Sequence, residues 1–225
     1  MPVRLFGPVH LALLAGIAIA ALALVKLCRA RPPARRPIRL ALGWGLALNE
    51  MVWWGFRYGH EGIHLRNLPL QLCDVTLWAT VLGCLTLYAP FVEFAYFAGV
   101  AGSAMALLTP DLWTPWPSYP ALYFFAVHGG IVAGAAVLVF GGEAGLRAGA
   151  MWRAYGMLLG YAAAVGAVNA VCGTNFMYLC RKPANASPLD VLGPWPVYLL
   201  PAAVLGLALF WLLGLAARPR TQASS

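Results

Sequence analysis

Apolar runs of about twenty residues, broken repeatedly by proline, glycine and arginine, leave this chain little choice of fold. Hydrocarbon offers backbone N–H and C=O groups no partners, so only helices and closed barrels cross it. The runs fall near 8–27, 38–57, 67–88, 91–109, 119–141, 151–178 and 195–216. They predict an all-α, polytopic membrane protein: one bundle of seven transmembrane helices over 1–217, then a short disordered cytoplasmic tail over 218–225. Of 225 residues, 62% are hydrophobic and 10% charged, where a soluble domain carries about a quarter charged residues. Seven spans leave no room for a soluble domain, so any chemistry sits in or beside the bilayer.

The formal net charge of +8 raises nucleic acid as a partner. The basic residues cluster between apolar runs, however, as topology signals do, and nucleic-acid binding is set aside. The first run resembles a signal peptide but lacks a clear small-residue cleavage site, and it runs into Lys26, Arg29, Arg31, Arg35, Arg36 and Arg39. Placing that block inside also puts Arg147, Arg153, Arg218 and Arg220 inside, ten in all, against Arg4, Arg57, Arg66, Arg181 and Lys182 outside. The N-terminus is then outside and the C-terminus inside. Trp53, Trp54, Trp113, Trp116, Tyr119, Tyr178, Trp195 and Tyr198 all fall near the outer ends, as an interfacial belt or the rim of a site. Five scattered cysteines with no CxxC pair argue against a disulfide framework.

Polar residues within spans are costly and mark either a site or an interhelical network. They are Asn49 and Glu50 in the second span, Gln71, Cys73 and Asp74 in the third, Glu93 in the fourth, His128 in the fifth, and Asn169, Thr174 and Asn175 in the sixth. All but Glu93 converge in the outer half. Asn67, Gln71, Asp74 and Trp78 follow i, i+4, i+7, i+11 and form one polar stripe of a helix, with Cys73 on its flank. At about 1.5 Å per residue, Cys73 lies roughly 9 Å and His128 roughly 13 Å below the outer ends, so the two can share a level. A buried cysteine usually behaves as a small hydrophobe. A base or cation nearby makes it a nucleophile, and His128 is the only histidine deep in a span.

Three blocks carry a resemblance: Leu68-Pro-Leu-Gln-Leu-Cys-Asp74; Thr109-Pro-Asp-Leu112 with Phe124-Phe-Ala-Val-His128; and Gly173-Thr-Asn-Phe-Met-Tyr-Leu-Cys180 with Lys182-Pro183, Ser187, Leu189-Asp190 and Leu192-Gly-Pro-Trp-Pro196. Together they resemble the YwaF-like integral membrane family, whose eukaryotic branch is called transmembrane protein 164, over about residues 38 to 216. The resemblance implies a cysteine-dependent acyltransferase acting on membrane phospholipids and lysophospholipids, with no cofactor and no metal. Cys73 is the nucleophile it implies and His128 the base; Asp74 and Asn175 complete the catalytic set. Gln71 departs from the family pattern, in which bacterial relatives often have histidine there. Asn175, Asn169 and the Trp195 indole are candidate oxyanion donors, and Arg181 and Lys182 candidate ligands of the lipid phosphate. Gln71, Tyr178 and Glu50 join Asn169, Arg181, Lys182 and Trp195 as substrate-binding candidates. The expected location is a bacterial cytoplasmic membrane.

Two rivals stand beside this reading. His60-Glu-Gly-Ile-His64 matches the zinc protease pattern, in which two histidines on one helical turn hold the metal. Gly59 and Gly62 disfavour a helix there, which predicts a plain outer loop. Glu50 and Glu93, at two depths, keep a transporter or a lipid- or ion-binding protein without catalysis in play. Asn185-Ala-Ser187 fits a glycosylation acceptor, relevant in a eukaryotic secretory membrane alone.

Overall fold

The computed structural model describes residues 4–112, 114–183 and 188–217. The tail from 218, Trp113 and the 185–187 acceptor lie outside the described residues. Among those described there are seven long helices and no strand. They are α1 (Pro8–Ala30), α2 (Arg35–Glu61), α3 (Leu72–Thr86), α4 (Ala89–Leu108), α5 (Tyr119–Phe140), α6 (Ala150–Cys172) and α7 (Leu199–Ala216). Helix α4 is continuous but carries a π-helical turn over Ala95–Gly99. Pro90 and Pro120 sit in the first turns of α4 and α5, where the missing N–H has no helical partner to lose.

Five helices, α1, α4, α5, α6 and α7, are long and apolar enough to cross a membrane. The other two differ for separate reasons. Helix α2 has 27 residues but an inverted amphipathic pattern: Arg39, Gly43, Leu46, Ala47 and Glu50 face inward, while Trp44, Leu48, Met51 and Val52 are exposed. Helix α3 has 15 residues, about 22 Å at 1.5 Å per residue, short of a hydrocarbon core of about 30 Å. Its shortness corrects the third expected span. Leu68, preceding Pro69, is held extended (ψ 143°), so the helix starts at Leu72 and not at residue 67. The expected stripe therefore does not exist as a helix face. Asn67 and Gln71 precede the helix, and Cys73 lies in its first turn. The sixth span is likewise shorter, because Gly173 takes φ +66° and closes α6. Short helical turns over Phe176–Tyr178 and Pro188–Leu192 precede α7.

Exposed apolar residues coat the outside: Leu11, Ile19 and Leu22 on α1, Trp152 and Leu159 on α6, and Leu200, Val204, Trp211 and Leu212 on α7. A water-soluble surface does not carry so continuous an apolar coat. Helices α4 and α5 lie inside. Glycines on α5 let three helices approach closely: a Cβ at Gly129 would lie 2.9 Å from Ile17 Cγ1 of α1, at Gly130 2.6 Å from Leu46 Cδ2 of α2, and at Gly134 2.7 Å from Thr80 Cγ2 of α3. Such close approach is how apolar helices gain contact area in lipid. Leu46, Leu77, Val81, Val127 and Ile131 pack there into one buried cluster of α2, α3 and α5.

One end of the bundle gathers the basic block. Arg29 Nε donates to Phe140 O at 2.7 Å and Arg35 Nε to Cys28 O at 2.9 Å. Arg39 donates to Cys84 O and, at 2.9 Å, to Glu143 Oε2. The carbonyls served belong to the last turns of α1, α3 and α5, which have no partner within their own helices. Close by, the fully buried Glu93 accepts four hydrogen bonds of 2.7–3.1 Å, two from Arg147 and two from Arg153. Its isolation in the sequence is thus resolved by a pair of arginines from the loop and helix that follow α5.

At the opposite end α2 continues through Glu61 and stops at Gly62, whose φ is +74°. This corrects the expected loop: His60 and Glu61 are helical, since a glycine at 59 costs about 1 kcal/mol and does not end a helix. His64 lies beyond the break. His60 Nδ1 bonds Phe56 O at 2.8 Å, and Glu61 accepts from Asn67 Nδ2 at 3.0 Å and pairs with Arg57 at 3.4 Å. Among the described residues no cluster of three or more His, Cys, Asp or Glu side chains is arranged to hold a metal.

Two outcomes follow from these packings. Glu93→Gln leaves two guanidinium groups without their carboxylate and lowers stability by about 1–3 kcal/mol, read as a fall in Tm in detergent. Replacing His60 and His64 together with alanine leaves metal content unchanged, because Gly62 separates them from one helical turn; zinc that is stoichiometric in the native chain and lost in the double variant would overturn this.

Candidate functional site

The polar end opposite the arginine block is built by segments 58–71, 109–112, 114–118, 173–183 and 188–198. Asn67 is its first organiser. It is 3% exposed; its amide donates to Glu61 and Gly62 O, and its oxygens accept from Arg57 and Tyr58. This ties the α2–α3 connection back onto α2 and presents the start of α3.

Cys73 is the second residue of α3 and partly buried. It lies in the first turn, where the N–H groups of Leu72 and Cys73 have no carbonyl one turn back within the helix, while Asp74 N donates to Gln71 O at 3.1 Å. Asp74 Oδ2 accepts from Gln71 N at 2.9 Å, the carboxylate half of a capping arrangement at a position favoured by the helix dipole. Asp74 thus anchors the turn that carries Cys73. Gln71 Oε1 accepts from Met177 N at 2.8 Å, and Tyr161 OH donates to Leu70 O at 3.1 Å, so α6 and the segment after it clamp the same turn.

The ionisable groups acting on Cys73 from nearby are Asp74 and Glu50. Glu50 is fully buried and accepts from Tyr123 OH of α5, whose ring stacks on Trp53 at 4.2 Å. Leu46, Leu77 and Val127 belong to one buried cluster below, and Glu50, Cys73 and Tyr123 each lie one helical turn outward from one of them. Tyr123 was not singled out in the sequence. Its four-residue offset from Val127 was the available signal, legible only once α5 was known to face α2 and α3.

His128 follows Val127 by one residue and so points about 100° away around α5. Its ring packs on Phe124 at 4.4 Å, and Nδ1 bonds Phe124 O at 2.8 Å. A carbonyl only accepts, so Nδ1 carries the proton and Nε2 the free lone pair of the neutral ring. Helices α3 and α5 are neighbours; the described hydrogen bonds of His128 do not include one to Cys73.

The other predicted residues shape the segment after α6. Asn169 Nδ2 donates to Phe176 O at 2.9 Å while its Oδ1 accepts from Phe176 N and Thr174 Oγ1, both at 2.8 Å. Asn175 Oδ1 accepts from Cys180 N and Arg181 N at 3.0 Å, and its amide donates to Arg181 O. Trp195 Nε1, its one donor, reaches Leu179 O at 3.0 Å. The three expected oxyanion donors are therefore engaged in holding backbone. Met177 and Tyr178 both adopt left-handed backbone, φ +57° and +54°, a strained pair for side-chain-bearing residues; Tyr178 lies within electrostatic reach of Cys73. Lys182 Nζ is 3.8 Å from Asp190 and 5.7 Å above the Tyr198 ring, and Arg181 is exposed beside it.

No curated protein and no solved structure matches the chain. A family model does, that of the TMEM164 family, over residues 5–214. The match takes in all seven helices nearly end to end, including the first turn of α3, the α5 histidine and the clamp after α6. This chain belongs to the TMEM164 family.

Proposed function

We propose that this chain is a membrane-embedded lipid acyltransferase that moves a fatty acyl chain between phospholipids through a thioester on Cys73. The observation that supports this most is the seat of Cys73: a partly buried thiol in the first turn of α3, where the N–H groups of Leu72 and Cys73 have no carbonyl one turn back within the helix. Such a terminus offers donors to the oxyanion that forms beside it.

In the first half-reaction the thiol proton passes to Nε2 of His128, and Sγ attacks the ester carbonyl carbon of a phospholipid. The carbonyl oxygen becomes an oxyanion held by N–H groups at the start of α3, in place of the asparagines and indole engaged elsewhere. The C–O bond breaks, the lysolipid oxygen takes the proton from His128, and a thioester remains on Cys73. In the second half a lysolipid hydroxyl attacks the thioester carbon and the C–S bond breaks. Asp74 positions Cys73 through the Gln71 cap. Arg181, exposed at the mouth, meets the phosphate, while Lys182 is held beside it by Asp190.

The reading without catalysis, as a transporter or a lipid- or ion-binding membrane protein, has one favourable observation, the buried Glu50. Glu93 no longer joins it in a path, because all its oxygens are taken by two arginines. In our reading the arginine-rich end faces the cytoplasm of a bacterial cytoplasmic membrane, with Cys73 toward the outer side.

A reporter fused after Ser225 is expected to be active in the cytoplasm alone; an external C-terminus overturns the orientation. Incubated with phospholipid labelled in its acyl chain, the purified protein should form a hydroxylamine-sensitive adduct. Cys73→Ala abolishes the adduct. Groups that act as one unit are non-additive, so His128→Ala lowers transfer by about a hundredfold or more and adds nothing in the Cys73→Ala background. A folded Cys73→Ala variant that retains full transfer overturns the assignment and returns the non-catalytic reading.

A further inference from the structure

Where α6 ends, the chain leaves donors unspent. At each of the other six long helices the residue after the last turn gives its N–H to the carbonyl four residues back: Arg31, Gly62, Leu87, Thr109, Gly141 and Ala217. Gly173 does not, and neither its N–H nor that of Thr174 meets an acceptor among the described residues. A helical residue followed by a left-handed one, here Cys172 and Gly173 with φ +66°, turns successive N–H groups toward one side, a concavity that suits an anion. Cys172, Gly173 and Thr174 line an open groove of about 470 Å³, and His64, Leu65 and Arg66 form its other wall. Arg66 and His64 are exposed, and among the described residues neither side chain makes a hydrogen bond or ion pair. The Thr174 hydroxyl spends its proton on Asn169 Oδ1. The groove thus gathers a fixed cation, an imidazole and two free N–H groups, and no carboxylate lines it.

We propose that this groove is a phosphate seat, in which the Arg66 guanidinium and the His64 ring donate to phosphate oxygens from one wall and the N–H groups of Gly173 and Thr174 from the other. A guanidinium presents paired N–H groups at the spacing of phosphate oxygens, and even a neutral imidazole carries one donor. The phosphate is that of a lipid head group or a free phosphate, since both present the same oxyanion. Ligand clefts span roughly 300–1,000 Å³, so the groove also has room for the glycerol of a head group. A buried asparagine holds each wall. The Asn67 amide donates to Glu61 and Gly62 O behind the first, and Asn169 binds Thr174 Oγ1 and Phe176 N behind the second. Donors fixed before a ligand arrives cost less to order when it binds. Both walls belong to segments that meet again where Gln71 Oε1 accepts from Met177 N, so the groove lies between the two segments that clamp the first turn of α3. This seat goes beyond the acyl-transfer reading, in which Arg181 alone meets the phosphate, and it needs no thioester. Arg181, whose backbone is bound by Asn175 next to Thr174, does not line the groove.

Binding is measured in maltoside micelles at fixed ionic strength, with no turnover. The native protein is expected to bind lysophosphatidylglycerol, and to bind monoacylglycerol, its counterpart without the phosphate, at least about tenfold more weakly. Arg66→Gln removes the charge from an exposed side chain and should weaken lysophosphatidylglycerol binding about tenfold or more, the range for a hydrogen bond to a charged group. Arg66→Lys keeps the charge without the fork and recovers part of that loss. His64→Ala should cost about threefold and serves where Arg66→Gln does not fold. Arg31→Gln, at the opposite end of the bundle, changes nothing. Titration with inorganic phosphate, against chloride at equal ionic strength, names the source. Dependence on Arg66 for both probes assigns the seat to phosphate as such, and dependence for the lipid alone assigns it to a head group. Native affinity in folded Arg66→Gln, or in His64→Ala where that variant stands alone, overturns the assignment. So does an equal loss in Arg31→Gln, which marks attraction to charge at large, and so does a native protein that binds both lipids alike. No acyl chain moves in this assay, so a Cys73 that never loads removes the acyl-transfer reading and leaves the phosphate seat standing.

Discussion

Every backbone carbonyl in this bundle that hydrocarbon would strand needs a donor, and the arginine block supplies several. Guanidinium groups from Arg29, Arg35 and Arg39 reach the last-turn carbonyls of α5, α1 and α3. Those contacts tie α5 to the end of α1, and α1 and α3 to the start of α2, while Arg147 and Arg153 draw α6 to α4 through Glu93. Positive charge in such a chain is commonly understood as an address. Here it is also mortar: the same residues satisfy the ends of the helices they flank.

With that end fixed, the close approach of α1, α2 and α3 to the glycines of α5 decides what meets at the other end. Gly130 against Leu46 and Gly134 against Thr80 bring α2 and α3 onto one side of α5. A turn further out, the same geometry delivers a thiol, a buried carboxylate and a phenol to one place. Segment 173–178 covers the turn of α3 that bears the thiol, held by Asn169 and by the Gln71 oxygen. Gln71 is thus a clamp between α3 and that cover.

Much of this site was legible in residue types. Cys73, Asp74, Gln71, Glu50, Asn169 and Asn175 all stood out as polar groups that lipid does not tolerate, and all lie at the polar end. Their roles were not legible. Asn169 and Asn175 have the donors of an oxyanion hole, but which backbone a carboxamide meets depends on how the chain turns at Gly173, and here both hold the turn itself. Depth along a span placed Cys73 and His128 at one level. Depth says nothing about rotation: His128 stands one residue, about 100°, around α5 from Val127.

The sequence by itself determined that the chain is helical, that its outside is apolar and that its basic residues gather at one end, because each follows from composition and spacing along one dimension. It also carried the family in three short blocks. Only the tertiary structure decided that Glu93 is saturated by two arginines and that Glu50 retains an oxygen with no donor. Those facts depend on which helix faces meet. Rotation of each helix about its axis is fixed by close packing against residues far away in the sequence, glycines on α5 above all, and no local pattern of residues encodes it.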